Sequence, residues 1–397
     1  MKYDFTSILD RAGKDAIAVD IIPFPDAQVK EGFDKIPMWV ADMNFPVLPA
    51  IQDKIIERTK HPAFGYYEYT DEYYNSIIKW QEKRNGVSGL VKENIGYQNG
   101  VVGGVVSALM AFTAPGDSVL LHGPAYIGFI HAIENSGRKI VFSDLKRDKD
   151  GVWRMDYEDM DKKIKEHHIH LAIFCSPHNP TGRVWGKDEL EQAMEVYKQN
   201  ECVVVSDEIW ADLTLEGYKH IPTQAVSDDA RNRTIALYAP SKTFNLAGLI
   251  GSSHIVYNTY LKDRYDKQAA LCSYNHMNVL SMHALIGAYS DEGSVWVEEL
   301  KSVLTGNVEY AYNFINEHFE GISLAKPEGT YMLYLDCSEW CKKQGKTVDE
   351  LIRAGIEVGV IWQDGRPFGK DNTIRMNLAL PLSRVKEAFV RLEKYVF

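Results

Sequence analysis

From residue 118 to residue 256 the chain repeats one pattern: a short, continuously apolar run, then a polar or helical stretch, then another apolar run. The runs fall at 118–122, 139–143, 169–175, 202–206, 233–238 and 250–256, with helical patterns at 156–166 and 187–199 among them. A strand that alternates apolar and polar residues has one wet face. These do not alternate, so both faces must be covered, and helices between strands are what covers them. The pattern predicts an α/β unit with a mostly parallel sheet. After residue 258 the pattern changes. Helices dominate to about 319, including a long one from Ser294, and strand-like segments at 331–335, 358–362 and 374–378 mix with helices at 347–356 and 383–395. That is an α+β signature and predicts a second, smaller domain.

Upstream, residues 1–45 are punctuated by Pro23, Pro25 and Pro37, with one apolar patch at 36–42. So long an irregular stretch is expected to pack on something, the small domain or a partner subunit. A short amphipathic helix is expected at 48–60, an aromatic loop at 64–69, and a helix capped by Asp71 that runs to about Arg84. A further helix is expected from Val101 to Phe112. The expected division is an arm at 1–47, a large domain at 48–285 and a small C-terminal domain at 286–397.

The 397 residues suit such a division. A net charge of −11, with Lys and Arg dispersed, argues against nucleic acid and anionic membranes as partners. No apolar stretch reaches bilayer-spanning length and the N-terminus carries no apolar signal region, so a cytoplasmic protein is expected. The five cysteines are scattered and read as small buried hydrophobes in a reducing compartment.

In parallel α/β sheets, ligands bind beyond the carboxyl ends of the strands. Run 118–122 leads to Tyr126, run 169–175 to Asn179, run 202–206 to Asp207 and run 233–238 to Lys242. A Gly-rich helix start, Asn99 to Gly104, lies upstream. Several motifs are excluded. Ser241-Lys242-Thr243 lacks the glycines that a P-loop places before its lysine. There is no GxGxxG after a first strand and no GxSxG elbow. His167, His168 and His170 read as a solvated patch, so no metal is expected. One aromatic, one amide, one carboxylate and one lysine on one rim are the set that pyridoxal phosphate needs. The lysine forms the Schiff base, the carboxylate keeps the pyridinium nitrogen protonated, and helix N-terminal amides hold the phosphate.

Four motifs carry a family resemblance: Asn179-Pro180-Thr181-Gly182, Ser206-Asp207-Glu208, Ser241-Lys242-Thr243-Phe244-Asn245 and Arg375-Met376-Asn377. Their order and spacing resemble fold-type I pyridoxal-phosphate enzymes of the aminotransferase class I/II superfamily, across essentially the whole chain. The resemblance makes Lys242 the Schiff-base lysine, Asp207 the pyridinium partner, Asn179 the ring-hydroxyl donor and Tyr126 the stacking aromatic. It makes Gly100, Val101 and Val102 the phosphate cradle, and Arg375 the clamp on the substrate α-carboxylate. It also makes Tyr66 the residue reaching a neighbouring subunit's site, with Tyr67 and Tyr69 as alternatives, and so implies a homodimer.

Within the superfamily, Met38-Trp39-Val40-Ala41-Asp42, Gly65-Tyr66 and the stretch from Asp207 to Leu213 resemble the MalY/PatB-type cystathionine β-lyase branch. Trp210 and Ile250 stand where many aminotransferases carry tyrosine and a phosphate-binding arginine. Asn44 stands where the lyase signature usually carries aspartate. The resemblance implies α,β-elimination on an L-cysteine S-conjugate such as L-cystathionine. The Lys242 amine or a nearby group would take the Cα proton, and Tyr126 or Tyr66 could assist. An aminotransferase of aromatic or neutral amino acids shares the same core residues. A protein-contact modulator built on the same fold is the alternative of another class.

Overall fold

The structure, a computed structural model, describes residues 1–273 and 276–397. Seven strands form the main sheet: β1 (Ile95–Gln98), β2 (Ser118–Leu121), β3 (Lys139–Phe142), β4 (Leu171–Cys175), β5 (Val203–Asp207), β6 (Thr234–Tyr238) and β7 (Ser252–Ile255). Their spatial order is β1-β7-β6-β5-β4-β2-β3. From β6 to β3 every pairing is parallel, whereas β7 runs antiparallel to both its neighbours. Antiparallel pairing on both sides of β7 returns β1 to the direction of β6. The ends of β1, β6, β5, β4 and β2 therefore open on one rim. The three central strands β4, β5 and β6 are buried almost throughout, as their unbroken apolar runs require.

β1 is the strand the sequence hides. Gly96 interrupts its pattern because the His254 ring of β7 occupies the space where a side chain would project. A Cβ at Gly96 would lie 2.3 Å from that ring. The helices Pro49–Thr59, Lys187–Gln199 and Gly100–Phe112 stand close to where they are expected. Helix Asp71–Asn85 starts one residue differently: Thr70, not Asp71, is its cap, accepting a hydrogen bond from the Tyr73 N–H. A threonine cap leaves Asp71 in the first turn, where its charge suits the helix dipole. Helices at Ile127–Asn135 and Ser338–Gln344 are additional to those expected.

A smaller antiparallel sheet follows: β8 (Met332–Asp336), β9 (Gln363–Asp364) and β10 (Thr373–Asn377), in the order β8-β10-β9. Helices Val348–Glu357 and Leu382–Tyr395 accompany it, and the long helix is Asp291–His318. The N-terminal arm is built into this part of the molecule. Ile36–Pro37 pairs in parallel with Val360–Ile361. Phe5, Ile36, Met38 and Phe45 share one buried apolar cluster with Trp296, Leu378 and Phe389. Cys175, Cys202 and Cys337 are buried, Cys272 and Cys341 are partly buried, and all five are free thiols.

Candidate active site

Asp207 is the last residue of β5, paired in register with Cys175 of β4 and Leu237 of β6. Strand alternation sends Asp207 and Glu208 opposite ways. Glu208 enters a closed network. It accepts bonds from Tyr238 Oη (2.6 Å), Ser206 Oγ (2.9 Å) and the Thr223 N–H (3.0 Å), and pairs with His220 at 2.7 Å. Burial pushes the Glu208 carboxyl up, but His220 and these donors outweigh burial and hold it below the usual range. Asp207 has far less support. Among the described residues its carboxylate accepts one bond, from the Ile209 N–H at 3.0 Å. Burial pushes it up to about 7, against the opposing pull of Ile209 N–H and Lys242. Two adjacent carboxylates thus have opposite tendencies: Glu208 is locked as an anion, and Asp207 is poised to share a proton.

Lys242 lies in the short helical turn Pro240–Thr243 that follows β6. Its Nζ donates to the Ala41 carbonyl at 2.9 Å and stands 5.8 Å from the centre of the Trp210 ring. Burial, with Arg375 acting in the same direction and Asp42 and Asp207 opposing, lowers its pKa to about 8. An amine so placed is substantially neutral under mildly alkaline conditions and therefore nucleophilic.

Arg375, on β10, is 3% exposed. Its Nη1 donates to Asn179 Oδ1 at 3.0 Å, and its Nη2 to Gln363 Oε1 at 2.5 Å and to the Trp39 carbonyl at 3.3 Å. The guanidinium also lies over the Phe368 ring at 4.6 Å. Burial brings its pKa down to about 10, so it stays cationic at neutral pH. Asn179 is buried after β4, and since its oxygen is taken by Arg375, its NH2 group is the end left to donate. Tyr126 follows β2 and packs edge-on against Phe129. Burial raises its pKa, and Arg375, Asp207 and Cys175 all act on it.

Gly100 opens helix Gly100–Phe112 with φ +73°, a conformation glycine adopts freely. Among the described residues no side chain caps this helix, so its first N–H groups are left to a ligand or water. Val101 is buried and Val102 partly buried. Ile250 stands half-exposed across from Gly100, its Cγ2 3.8 Å from where a Gly100 Cβ would be.

The structure thus brings Lys242, Asp207, Asn179, Tyr126 and Arg375 together. Tyr66 stands apart, fully exposed in the irregular segment before Thr70. Tyr67 and Tyr69 turn inward instead. Tyr67 Oη donates to the Met277 carbonyl at 2.5 Å, and Tyr69 Oη accepts from the Met277 N–H at 3.0 Å.

Sequence reasoning missed how residues 39–43 are held. Five consecutive carbonyls cross the site, and a side chain holds each one. Arg375 holds Trp39 and Lys242 holds Ala41. Asn377 Nδ2 donates to both Val40 and Asp42, each at 2.6 Å. Asn245 Nδ2 donates to Met43 at 2.9 Å while its Oδ1 accepts from the Met43 N–H at 3.0 Å. Arg11 secures the outer side, reaching Asp42 at 2.6 Å and Asn44 Oδ1 at 2.8 Å. Asn44 thus serves as a hydrogen-bond partner of Arg11 on a strap that joins the main sheet to the small one. The sequence signal was the presence of Lys242, Asn245, Arg375 and Asn377 inside two of the recognised motifs.

Comparison with known proteins places this geometry. The family model for aminotransferase class I and II matches residues 34–392, and the chain belongs to that family. It is 32% identical over 362 residues to cystathionine beta-lyase PatB of Bacillus subtilis, covering 91% of this chain and 92% of that protein. The crystal structure of cystalysin from Treponema denticola, which contains a pyridoxal 5'-phosphate cofactor, superposes with a TM-score of 0.91. The two are 30% identical, with 99% of this chain and 98% of that chain covered. The PLP-bound C–S lyase from Staphylococcus hominis gives a TM-score of 0.89 at 29% identity, over 100% of this chain and 99% of that one.

Proposed function

We propose that this protein is a pyridoxal-phosphate-dependent C–S β-lyase that cleaves L-cystathionine or a related L-cysteine S-conjugate to a thiol, pyruvate and ammonia. The observation that carries the reading is the convergence of Lys242, Asp207, Asn179 and Arg375 beyond the strand ends, in a chain similar throughout to cystathionine β-lyase and C–S lyases.

The residues fit the cofactor. Lys242 offers an amine of lowered pKa for covalent attachment, and Asp207 offers a buried carboxylate with acceptor capacity to spare. Asn179 offers its NH2 to the ring hydroxyl and Tyr126 a ring face. The uncapped start of helix Gly100–Phe112, with Gly100, Val101 and Val102, offers N–H donors to a phosphate. Ile250 offers no charge, so the phosphate rests on those amides and on hydroxyls.

When bound, pyridoxal phosphate supplies an electron sink for the pair left at Cα. Arg375 holds the substrate α-carboxylate, a role suited to its planar fork and fixed by Asn179 and Gln363 on either side. With the group held there, the Lys242 amine would stand as the base for the substrate Cα and would take its proton. Asp207 keeps a proton on the ring nitrogen. The β-carbon–sulfur bond breaks, and the sulfur leaves with a proton supplied by Tyr126 or by Tyr66 of a second copy. Water completes the products by releasing ammonia and pyruvate. The 39–43 strap, bonded to Lys242 and Arg375 through its carbonyls, would keep bulk water from the reacting carbon.

The proposed working unit is a cytoplasmic homodimer of chains divided at 1–47, 48–285 and 286–397. Exposed Tyr66 supports the dimer, because it has a role only across an interface, and the free thiols support a reducing compartment. Incubation of the purified holoenzyme with L-cystathionine, with pyruvate and free thiol assayed together, tests the activity. Equimolar pyruvate and thiol are expected. Amino transfer to a 2-oxo acid without pyruvate would identify an aminotransferase instead.

A further inference from the structure

Two donors close to the carboxylate clamp are buried and have no hydrogen-bond partner among the described residues: Nε of Arg375 and the hydroxyl of Tyr331. Tyr331 is completely buried. It lies one residue before β8, and its carbonyl accepts from the Leu378 N–H at 2.8 Å, just beyond the Arg375–Asn377 end of β10. Its ring meets Trp210 edge-on, with centroids 4.8 Å apart. Trp210 in turn faces the Lys242 amine. Tyr331 therefore belongs to the wall between the clamp and the lysine, and its phenol and the Arg375 guanidinium act electrostatically on one another.

Leaving a buried hydroxyl unpaired costs stability, and most proteins avoid it. Here two such groups stand in one site, and both are donors. What satisfies both is an acceptor, and beside a guanidinium it is an anion. Asp42 is not that acceptor, since its carboxylate is engaged by Arg11. Asn179 and Gln363 already fix the two Nη atoms of Arg375, so the guanidinium cannot turn to make its own Nε bond elsewhere.

We infer that Tyr331 is a further substrate-binding residue, its hydroxyl donating a hydrogen bond to the α-carboxylate of the amino acid alongside Arg375. The inference rests on the proposed role of Arg375 as the carboxylate clamp. Tyr331 then also orients the substrate. A carboxylate held between Tyr331 and Arg375 fixes the rotation of the substrate about its Cα, and hence where the Cα hydrogen points relative to Lys242.

The test is Tyr331→Phe in the holoenzyme, with two probes read by the visible spectrum of the cofactor: L-alanine, and ethylamine, which lacks the carboxylate. The dissociation constant for L-alanine is expected to rise about tenfold, that for ethylamine to stay the same. The Tm without either probe is expected to stay level or rise, because the variant deletes an unpaired hydroxyl and strands no partner. Unchanged L-alanine affinity overturns the inference while leaving the clamp intact. A lower Tm in the absence of probe also overturns it, since the hydroxyl then has a partner within the protein. A wild-type enzyme that binds L-alanine no more tightly than ethylamine overturns the clamp itself, and Tyr331's role with it.

Discussion

Replacing Asp207 with asparagine should stabilise the cofactor-free protein and disable the holoenzyme, and the size of the first effect follows from burial. The carboxyl is pushed from 3.8 to about 7 by burial, with one N–H to support its charge. At about 1.36 kcal/mol for each pH unit, ionising it inside the folded chain costs at most ~4 kcal/mol once the pH exceeds 7. The sign follows from proton linkage. Between pH 4 and 7 the folded protein holds a proton that the unfolded chain has lost, so this group's contribution to stability falls as pH rises. Asp207→Asn carries no such charge. Denaturant unfolding of both cofactor-free proteins at pH 5 and pH 8.5 should show the variant ahead by only ~1.6 kcal/mol at the lower pH, which is about 1.2 pH units above the ordinary carboxyl value of 3.8. At the higher pH the variant should be more stable by up to ~4 kcal/mol. Reconstituted with cofactor the order reverses in function: the variant should lose on the order of 10²–10³ in kcat, the scale for removing a fixed charge from a reacting centre. A cofactor-free variant no more stable than wild type at pH 8.5 would refute the claim that Asp207 is held at an energetic cost until a protonated partner arrives.

Lys242→Ala should abolish pyruvate release and the visible absorbance of covalently held cofactor; retained turnover would remove the basis of the proposed function. Arg375→Lys should raise KM by roughly 10-fold to 100-fold with a smaller effect on kcat, since an ammonium cannot replace a fork that Asn179 and Gln363 hold on both sides. Asn377→Ala should cost about 2–4 kcal/mol of stability in denaturant titration, because it strands the Val40 and Asp42 carbonyls and the Ala379 N–H together. Light scattering should give a dimer for the purified protein, and a fully active monomer would refute the shared-site role of Tyr66.

The parallel core was legible because burial on both faces forces continuous apolar runs, and those runs ended at Tyr126, Asn179, Asp207 and Lys242. What stayed hidden depends on partners far away in sequence. β1 was concealed by Gly96, whose missing side chain makes sense only once His254 is seen beside it. The Thr70 cap differs from Asp71 by one position, and both residue types cap helices well. The strap at 39–43 was invisible as a strap because carbonyls carry no sequence signature, and the side chains that hold them lie up to 337 residues downstream. The Glu208 network was equally hidden: Glu208 reads like a second acidic site residue, yet His220 and Tyr238 turn it inward.

That strap has a consequence for biosynthesis. A ribosome releases residues 36–44 long before their partners at Val360–Ile361, Arg375, Asn377 and Ala379, with up to 337 residues between them. A segment made early must therefore wait for β10 before the roof over the lysine turn is complete. A chain truncated just before β10 would keep the whole main sheet and every rim residue from Tyr126 to Lys242, yet leave the Trp39, Val40 and Asp42 carbonyls without their partners. Synthesis of β10 thus acts as a checkpoint on the assembly of the site, built from ordinary hydrogen bonds between segments far apart in the chain.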